Sequence, residues 1–336
     1  MSRKDPMQMA DIARIAGVSK STVSRALADS SLVNEKTKSL IRDIAQQHGY
    51  RVNIAARNFR LKESLTVALL IPQADGVDWT ISDAFFLEMT AAIAEALDER
   101  GHALLLTRAT PQSGEWIEEF VRRRQADGII LIGQGSQHEL IQQISETFQG
   151  ISVWGEAIAG ANYPTVGTDN LLGGERATEQ LIRRGCQRIA FVGYEPAPEI
   201  DARFKGYLRA LEAAGHSYQE KRVFGAVVGS DSASMVLERI IDQREQLDGF
   251  FAASDQQAVA LMTALQQNGV NVPGQCAVVG YDDLPIARWY HPALTTVHQS
   301  RTLGAQILVD NLLAAIEGRD TSNVKLDPQL VVRESA

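Results

Sequence analysis

The stretch from Met9 to Tyr50 constrains the fold of this chain more than any other part of its sequence. Apolar residues recur at helical spacing on both sides of Gly17, which can adopt a positive φ and end a first short helix. Ser19 can then cap a second helix by accepting a backbone N–H of its first turn. Two short helices joined by a turn around one glycine form a helix-turn-helix, whose second helix fits the DNA major groove. The stretch therefore predicts an all-α DNA-binding headpiece.

The predicted second helix presents one face of hydrogen-bond donors, and no acidic residue interrupts this face before Asp29. Side chains of these types bind phosphates and base edges. The alternative is an ordinary helical hairpin whose polar residues are only solvated, and the spacing alone leaves that alternative open. The candidate DNA contacts on this face are Ser19, Lys20, Ser21, Thr22 and Arg25.

A third helix is predicted from about Asn34, which can cap it, to His48. Its core stripe would consist of Leu40, Ile41 and Ile44, and Gly49 would end it.

The amino-acid sequence of this region resembles the headpiece of the lactose/galactose repressor family. The resemblance rests on D-I-A-x-x-A-G-V-S-x-x-T-V-S-R-A-L, followed by an E-K-T-K helix, H-G-Y and N-x-A-A-R, and it continues to Val331–Ser335. It implies a transcriptional regulator that contacts DNA through the second helix and through Asn34. Gln8 stands where relatives usually carry Ser or Thr as the cap of the first helix, so we expect a weaker cap there.

Residues 51–64 are basic and contain one or two potential helical turns, which are too short to be stable alone. From the residues themselves this segment is a basic linker. The resemblance implies a hinge helix that orders when two subunits meet on DNA and that enters the minor groove. Val52 replaces a frequent proline, and an aromatic residue replaces the usual leucine wedge but can still unstack a base step. The hinge candidates for DNA contact are Asn53, Ala56 and Phe59.

The charge of the chain is unevenly distributed. The net charge is −8, but Met1 to Lys62 contains 12 Lys and Arg against 5 Asp and Glu, a net of +7, which leaves −15 for the remainder. A basic head on an acidic body suits a DNA-binding arm fused to a body that nucleic acid repels.

Cysteine usage and hydropathy indicate a cytoplasmic protein without a membrane segment. Cys186 and Cys276 are far apart and form neither a disulfide framework nor a metal-binding pattern. The N-terminus lacks the apolar core of a signal peptide, and no apolar run reaches membrane-spanning length.

From Leu65 onward, short apolar runs alternate with helical stretches, which predicts parallel sheets covered on both faces. Strands are predicted at 66–71, 103–106, 128–132, 151–154, 188–192, 250–253, 276–280 and 295–298. Helices are predicted at 85–100, 115–124, 139–148, 173–184, 203–214, 232–243, 256–268 and 302–316.

These units are too many for one compact sheet, so we predict two doubly wound α/β subdomains like those of periplasmic sugar-binding proteins. The chain would cross near Tyr163-Pro164 and return near Leu294–Gln299. The predicted organisation is a headpiece of residues 1–50, a hinge of residues 51–64 and an effector-binding and dimerisation body of residues 65–336. The subdomains would comprise about 65–163 with 299–322, and about 164–295 with 323–336.

Motifs of the common enzyme classes are absent. The sequence contains no P-loop, no G-x-G-x-x-G opening a helix, no G-x-S-x-G elbow and no H-E-x-x-H. His291 and His298 flank a proline and a predicted strand, where core or surface positions are expected rather than metal ligation. We expect no catalytic site, no metal and no cofactor.

Polar residues at predicted strand ends suit a sugar-binding cleft, which needs flat apolar surfaces and planar groups for neighbouring hydroxyls. Arg203, which would open a helix, offers a guanidinium fork. Asp282 lies at a strand end and can accept from two hydroxyls, while Asp283 would point the opposite way and cap a turn. The resemblance places Arg203, Asp282 and Ser254 among the effector contacts.

Each of the other candidate effector contacts has two possible interpretations. Of Phe85 and Phe86, one would pack in the core and the other would form a cleft platform. Asp169 would contact effector or cap the helix that begins near Leu172. Trp79, Trp154 and Trp289 could stack on a ligand or simply pack.

We therefore expect a homodimeric transcriptional repressor that binds a near-palindromic, double-stranded operator and is released by a sugar or sugar derivative. The absence of a leucine heptad after Arg333 predicts a dimer rather than a tetramer. The alternative in the same class is a co-repressor-activated regulator that senses a purine or another small metabolite. A periplasmic receptor is disfavoured by the basic head and the missing signal peptide, and no motif supports an enzyme.

Overall fold

The computed structural model describes residues 7–48, 50, 64–71, 83–108, 125–134, 138–228 and 232–336. The chain divides into two compact units, Met1–Ser64 and Leu65–Ala336. The hinge candidates Asn53, Ala56 and Phe59 lie outside the described residues, as do Gly49, Trp79 and the predicted helix at 115–124.

The described residues of the first unit form three helices with the caps that the sequence indicates: α1 (Met9–Ala16), α2 (Lys20–Leu27) and α3 (Glu35–Gln47). Gly17 ends α1 at φ +67°. Ser19 Oγ accepts the N–H of Thr22 at 3.1 Å, and Asn34 Oδ1 accepts the N–H of Thr37 at 2.8 Å. The predicted weaker cap at Gln8 is supplemented by Asp11, whose carboxylate accepts the backbone N–H of Gln8 at 3.1 Å.

A small apolar core holds these helices together, and Ile12, Val23, Ala26 and Ile41 are fully buried in it. The prediction that Leu40 belongs to this core is wrong, because its side chain is 48% exposed. Successive helical residues are about 100° apart, so the face that buries Ile41, Ile44 and Ala45 turns Leu40 towards solvent.

The second unit contains two sheets of six described strands each, as the strand-helix alternation predicts. The first lobe contains β1 (Thr66–Ile71), β2 (Ala103–Arg108), β3 (Gly128–Ile132), β4 (Ile151–Trp154), β5 (Thr165–Thr168) and β11 (Val324–Leu326). The second lobe contains β6 (Ile189–Val192), β7 (Val223–Phe224), β8 (Gly249–Ala252), β9 (Ala277–Asp282), β10 (Thr295–His298) and β12 (Gln329–Val331).

The strand order is β11-β5-β4-β3-β1-β2 in the first lobe and β12-β10-β9-β8-β6-β7 in the second. Every pairing is parallel except that of β10 with β12, so both sheets are doubly wound and one carries an antiparallel edge. The described α-helices of this unit are α4 (Ala84–Asp98), α5 (His138–Ser145), α6 (Asn170–Arg183), α7 (Pro198–Ala213), α8 (Ala233–Asp242), α9 (Asp255–Gln267), α10 (Pro285–Trp289) and α11 (Arg301–Ile316).

The chain passes between the lobes three times, as the predicted subdomain bounds imply. The predicted crossing near Tyr163-Pro164 is wrong, because β5 pairs with β4 in the first lobe and the crossing follows Thr168. The chain returns after β10, since α11 packs on α4, β3 and β4. The strand β11, predicted within the second lobe, pairs with β5 in the first. A third crossing at Asp327-Pro328 then leads to β12.

In the described parts of the chain, every helix falls short of the length and apolarity that a bilayer crossing requires.

Two glycines allow α6 and α7 to cross at close range, and this crossing positions Arg203. A Cβ on Gly174 would lie 2.1 Å from the carbonyl oxygen of Arg203. A Cβ on Gly206 would lie 2.1 Å from the carbonyl oxygen of Leu171. Any larger residue would therefore push backbone against backbone, which packed interiors do not absorb cheaply.

We predict that Gly174→Ala lowers the free energy of unfolding by roughly 1–3 kcal/mol or more, the usual cost of overpacking. The matched control is Gly225→Ala, because the nearest atom to a Cβ there is a carbonyl oxygen 4.0 Å away. Urea unfolding of both variants measures the difference. Equal stability of the two variants would contradict the proposed close crossing.

Candidate functional site

The exposed face of α2 carries two cationic side chains. Lys20 and Arg25 are exposed and have no acidic partner among the described residues. Three other cations of the headpiece are paired: Arg14 with Asp11 at 3.3 Å, Lys38 with Glu35 at 2.8 Å and Arg42 with Asp29 at 2.6 Å. The free cations on α2 are thus available for phosphates or bases.

The remaining headpiece candidates differ in their structural tasks. Ser21 is exposed, and its Oγ lies 2.7 Å from that of Ser19. Ser19 caps α2, Thr22 is half-buried beneath it, and Asn34 caps α3. These three side chains already have backbone or hydroxyl partners at the starts of α2 and α3. The N-terminal ends of these two helices therefore present N–H groups and hydroxyls to solvent.

The paired cations hold the headpiece together around Asp29, which adopts φ +59° after α2. Its carboxylate binds Lys38 at 3.1 Å and Arg42 at 2.6 Å, both on α3. The hydrogen bond from Lys38 is the main reason that the pKa of Asp29 lies below its usual value. Asp29 therefore joins α2 to α3 and does not cover the exposed face of α2.

In the second unit, a cavity of about 340 Å³ lies between the two lobes. It is bounded by residues that end or follow β3, β4, β5, β6, β8 and β9, which is where parallel α/β sheets bind ligands. The described residues that line it are Asp83, Phe85, Phe86, Ile132, Gly133, Trp154, Gly155, Gly167, Thr168, Asn170, Gly193, Glu195, Pro196, Ala197, Glu199, Ile200, Arg203, Ala253, Ser254, Gln256, Gln257, Asp282 and Gln299.

Aromatic side chains of the first lobe form one wall of this cavity. Phe86 is only 8% exposed and belongs to the core, whereas Phe85 is half-buried. The Phe85 ring centroid lies 6.4 Å from that of Trp154, which also lines the cavity. Trp154 is itself only 4% exposed and belongs to the same core cluster as Phe86, so Phe85 is the side chain that can offer the flat apolar surface that a sugar ring needs. Trp289 is 79% exposed and does not line the cavity.

Arg203 lies in the second turn of α7, not at its start as predicted, because the helix begins at Pro198. The side chain is 7% exposed. Its Nε donates to Asn170 Oδ1 at 2.9 Å and its Nη1 to the carbonyl of Ala253 at 2.6 Å. The guanidinium stacks 3.8 Å above the ring centroid of Tyr281. These contacts fix the fork in one plane at the cavity wall.

Asp282 ends β9 and is 4% exposed. Burial is the main factor that raises the pKa of this carboxyl to about 6. Its Oδ1 accepts from Gln299 Nε2 at 2.7 Å, and Gln299 Oε1 accepts from Thr168 Oγ1 at 2.8 Å. Within the described residues, Asp282 and Arg203 form no direct ion pair, so a structural salt bridge does not occupy these two groups.

Asp283 points away from the cavity, but the prediction that it caps a turn is wrong. Its carboxylate binds Arg333 at 2.5 Å and His298 at 3.0 Å. Burial opposes ionisation of this carboxyl, but the hydrogen bond and charge of Arg333 outweigh it and lower the pKa of Asp283.

Two further candidates cap helices. Ser254 lines the cavity, and its Oγ accepts the N–H of Gln257 at 3.3 Å at the start of α9. Asp169 accepts the N–H of Leu172 at 3.1 Å and does not line the cavity. The structure thus gives Asp169 the capping role, and as a lining residue its selection is wrong.

Sequence reasoning missed five polar residues that line the cavity, namely Thr168, Asn170, Glu195, Glu199 and Gln299. Gln299 lies in the segment predicted to cross between the lobes, and this prediction could have indicated its position at the cavity. Glu199 follows Pro198 in the first turn of α7, and that proline could have indicated the helix start. In the described parts of the chain, no cluster of His, Cys, Asp and Glu could hold a metal ion.

Comparison with known proteins adds two family matches. The model of bacterial regulatory proteins, lacI family, matches residues 8–53, and that of a periplasmic binding protein-like domain matches residues 178–336. The chain is 31% identical over 345 residues to the HTH-type transcriptional regulator CelR of Thermobifida fusca, with 100% of both chains covered.

Two solved structures share the architecture. A transcriptional regulator CelR–cellobiose complex has a TM-score of 0.72 at 28% identity and covers 98% of this chain and 100% of its own. A lac repressor dimer bound to operator and the anti-inducer ONPF has a TM-score of 0.82 at 22% identity, with 98% and 99% covered. The second similarity shows the fold.

The buried Asp282 predicts a pH dependence of stability. Its pKa in the folded protein is about 6, above the value of about 3.9 in an unfolded chain. As pH rises from 4 to 7, the unfolded state ionises first, so wild type loses stability that Asp282→Asn does not lose. The stability of the variant relative to wild type should rise by an amount on the order of 2 kcal/mol across this range.

Urea unfolding of wild type and variant at each pH measures this trend. Asp98→Asn, at an exposed position, is the matched control. A stability difference between Asp282→Asn and wild type that does not change with pH would rule out the predicted ionisation.

Proposed function

Because the chain belongs to the lacI family of bacterial regulatory proteins, we propose that it is a repressor released from its operator by a sugar or sugar derivative. The protein is a DNA-binding transcriptional regulator. The observation that carries the effector proposal is the lobe-spanning cavity, with an aromatic wall on one side and Arg203 and Asp282 on the other. The related CelR structure holds cellobiose, which supports a sugar in this cavity.

The headpiece is proposed to read DNA through α2. Lys20, Ser21 and Arg25 occupy its exposed face and would reach base edges, while Ser19, Thr22 and Asn34 at helix starts would bind phosphates. Residues 1–50 would form this headpiece and residues 51–64 the hinge. The hinge residues Asn53, Ala56 and Phe59 would enter the minor groove.

Two copies are proposed to bind one near-palindromic operator. Apolar side chains on the outer edge of the first lobe support pairing of two copies. Leu106 on the edge strand β2 is 40% exposed and Leu87 on the neighbouring α4 is 49% exposed, whereas Leu105 lies on the opposite face of β2. A self-complementary patch of this kind suits a twofold dimer. A regulator of this kind would act in the cytoplasm, where the operator is, and would have no catalytic role.

Ligand binding is proposed to act through the angle between the lobes. Thr168 belongs to the first lobe, Asp282 to the second and Gln299 to the segment that crosses between them. An effector that hydrogen-bonds to Asp282 competes or cooperates with these two hydrogen bonds and so favours one arrangement of the lobes over another. The preferred arrangement would set the spacing of the two headpieces.

A co-repressor-activated regulator that senses a purine or another small metabolite is the second candidate. The half-buried ring of Phe85 would stack on a flat base as readily as on a sugar ring. Operator affinity that rises on addition of ligand would favour this candidate over the repressor that sugar releases.

We predict that Lys20→Ala or Arg25→Ala weakens binding to an operator selected in vitro by about 1–3 kcal/mol, because each removes a free donor from the face of α2. Arg14→Ala removes the same charge from a side chain that pairs with Asp11, and it is the control. Fluorescence anisotropy with operator and scrambled DNA measures the change. If all three variants lost the same affinity for both DNAs, α2 would not read sequence.

We predict that Asp282→Asn and Arg203→Lys retain operator binding but respond poorly to the sugar that releases wild type. The first loses a charged acceptor, and the second loses the planar fork. Asp169→Asn is the matched control, because asparagine also caps helices and position 169 lies outside the cavity. Titration of operator-bound protein with sugar measures release. Normal release of Asp282→Asn and Arg203→Lys would contradict their assignment to the effector.

A further inference from the structure

We infer that Arg301 is a positioning residue of the effector site, and that it makes the place of the Asp282 carboxylate depend on the arrangement of the two lobes. Arg301 begins α11 in the first lobe, and its side chain binds backbone of the second lobe. The residue is not among those that line the cavity, so it would act on a ligand only through Asp282. This role rests on the proposed function and adds a residue to it.

The backbone that Arg301 binds has an unusual conformation. Asp282 adopts φ +115° and Asp283 adopts φ +53°, in the region that favours glycine. Residues other than glycine remain there only when surrounding contacts fix the backbone, and such positions cluster at ligand sites. The groups that hold this turn therefore decide where the Asp282 carboxylate lies.

One set of contacts to the turn comes from the second lobe. Asp255 Oδ2 accepts the N–H of Leu284 at 2.7 Å. Thr296 Oγ1 accepts the N–H of Asp283 at 3.4 Å, and the Asp283 carboxylate binds Arg333 at 2.5 Å. Because these groups move with the second lobe, they hold the turn equally well at any angle between the lobes.

Arg301 differs from these groups because its helix belongs to the first lobe, where α11 packs on α4, β3, β4 and β5. Arg301 Nη1 donates to the carbonyl oxygen of Asp282, and Nη2 donates to that of Asp283 at 3.1 Å. Successive carbonyls of a regular strand point to opposite sides. One planar guanidinium can therefore bind both only where the backbone leaves strand geometry, as it does at this turn.

The side chain of Asp282 has a second link to the same crossing segment. Its Oδ1 accepts from Gln299 Nε2, two residues before Arg301. Arg301 is half-buried and forms no ion pair with a carboxylate among the described residues, so its charge is satisfied by the two carbonyl oxygens. The guanidinium is thus committed to the backbone of the turn.

A rotation of the lobes must break the Arg301 contacts or move the turn together with α11. In either case the Asp282 carboxylate changes its place relative to Arg203, which Asn170 and the Ala253 carbonyl hold in the second lobe. The two groups proposed to bind the effector are then correctly spaced in one arrangement of the lobes only. Such a difference in affinity between two arrangements is what couples ligand binding to the lobe angle.

The first experiment needs no ligand and measures the distance between the lobes in Arg301→Met, which loses both donors and keeps a long side chain. Spin labels at Glu146→Cys in the first lobe and Glu212→Cys in the second report this distance in the full chain by double electron–electron resonance. Both positions are exposed, whereas the native Cys186 and Cys276 are buried. We expect the distance distribution to broaden or to shift by several ångströms.

Two further variants sharpen this measurement. Arg301→Lys keeps an ammonium that can donate to both carbonyls, and its distribution should lie close to that of the wild type. Arg319→Met is the matched control, because Arg319 is exposed beyond the other end of α11 and pairs with Glu317 at 2.6 Å. An unchanged distribution in Arg301→Met, or an equal change in Arg319→Met, would overturn the inference.

The second experiment titrates the same variants with cellobiose, glucose, galactose and ribose by isothermal titration calorimetry. For the sugar that the wild type binds best, we expect Arg301→Met to lower the affinity by about tenfold, because the ligand must then order the Asp282 turn itself. Arg301→Lys should recover most of this loss. A role in stability alone would instead lower the melting temperature and leave the affinity of the folded protein unchanged.

The outcomes of the titration separate the role of Arg301 from the proposed function. Wild-type affinity in Arg301→Met, or no recovery with lysine, would overturn the positioning role and leave sugar sensing standing. If the wild type binds none of the four sugars, the proposed sugar sensing fails, and the distance measurement alone decides whether Arg301 holds the lobes.

Discussion

The arrangement of the second unit depends on the hydrogen bonds that join Thr168, Gln299 and Asp282 across the lobes. All three side chains are nearly inaccessible to solvent, so each must find its partner within the protein. Thr168 ends a strand of the first lobe, Asp282 ends a strand of the second, and Gln299 lies where the chain crosses. A change in the angle between the lobes must therefore stretch, break or replace these hydrogen bonds.

Hydrogen bonds to neutral groups and ring stacking fix Arg203 at the cavity wall, without a described ion pair to Asp282. Arg203 is held between Asn170, the carbonyl of Ala253 and the Tyr281 ring. The close crossing of α6 and α7 at Gly174 sets its backbone. Such preorganisation spares a ligand the cost of ordering these side chains. It also keeps the guanidinium from closing onto Asp282, so both remain open to a ligand placed between them.

The headpiece divides its charges between structure and recognition. Asp29 forms salt bridges to Lys38 and Arg42 and so joins α2 to α3. Lys20 and Arg25 are exposed and have no acidic partner among the described residues. The same division appears on the scale of the chain, whose first 62 residues are basic and whose remainder is acidic. The acidic body repels DNA and leaves the basic head to bind it.

The sequence by itself determined the features that depend on neighbouring residues. The caps at Ser19 and Asn34, the turn at Gly17 and apolar strands such as β1, β3 and β4 follow from local spacing. The positions of Arg203 and Asp282 near one cavity also followed from strand ends and the family resemblance. Most of the architecture and the polar residues Arg203 and Asp282 were therefore predictable.

Only the tertiary structure decided what depends on distant pairing. β5, with the sequence T-V-G-T, has no apolar run to mark it, and becomes a buried strand because β4 and β11 flank it. Gln134 and Glu199 meet at Gly155 although 65 positions separate them. Leu40 lies outside the core because α3 turns the adjacent Ile41 inward. No local pattern encodes such contacts, since they exist only after the lobes and helices have packed.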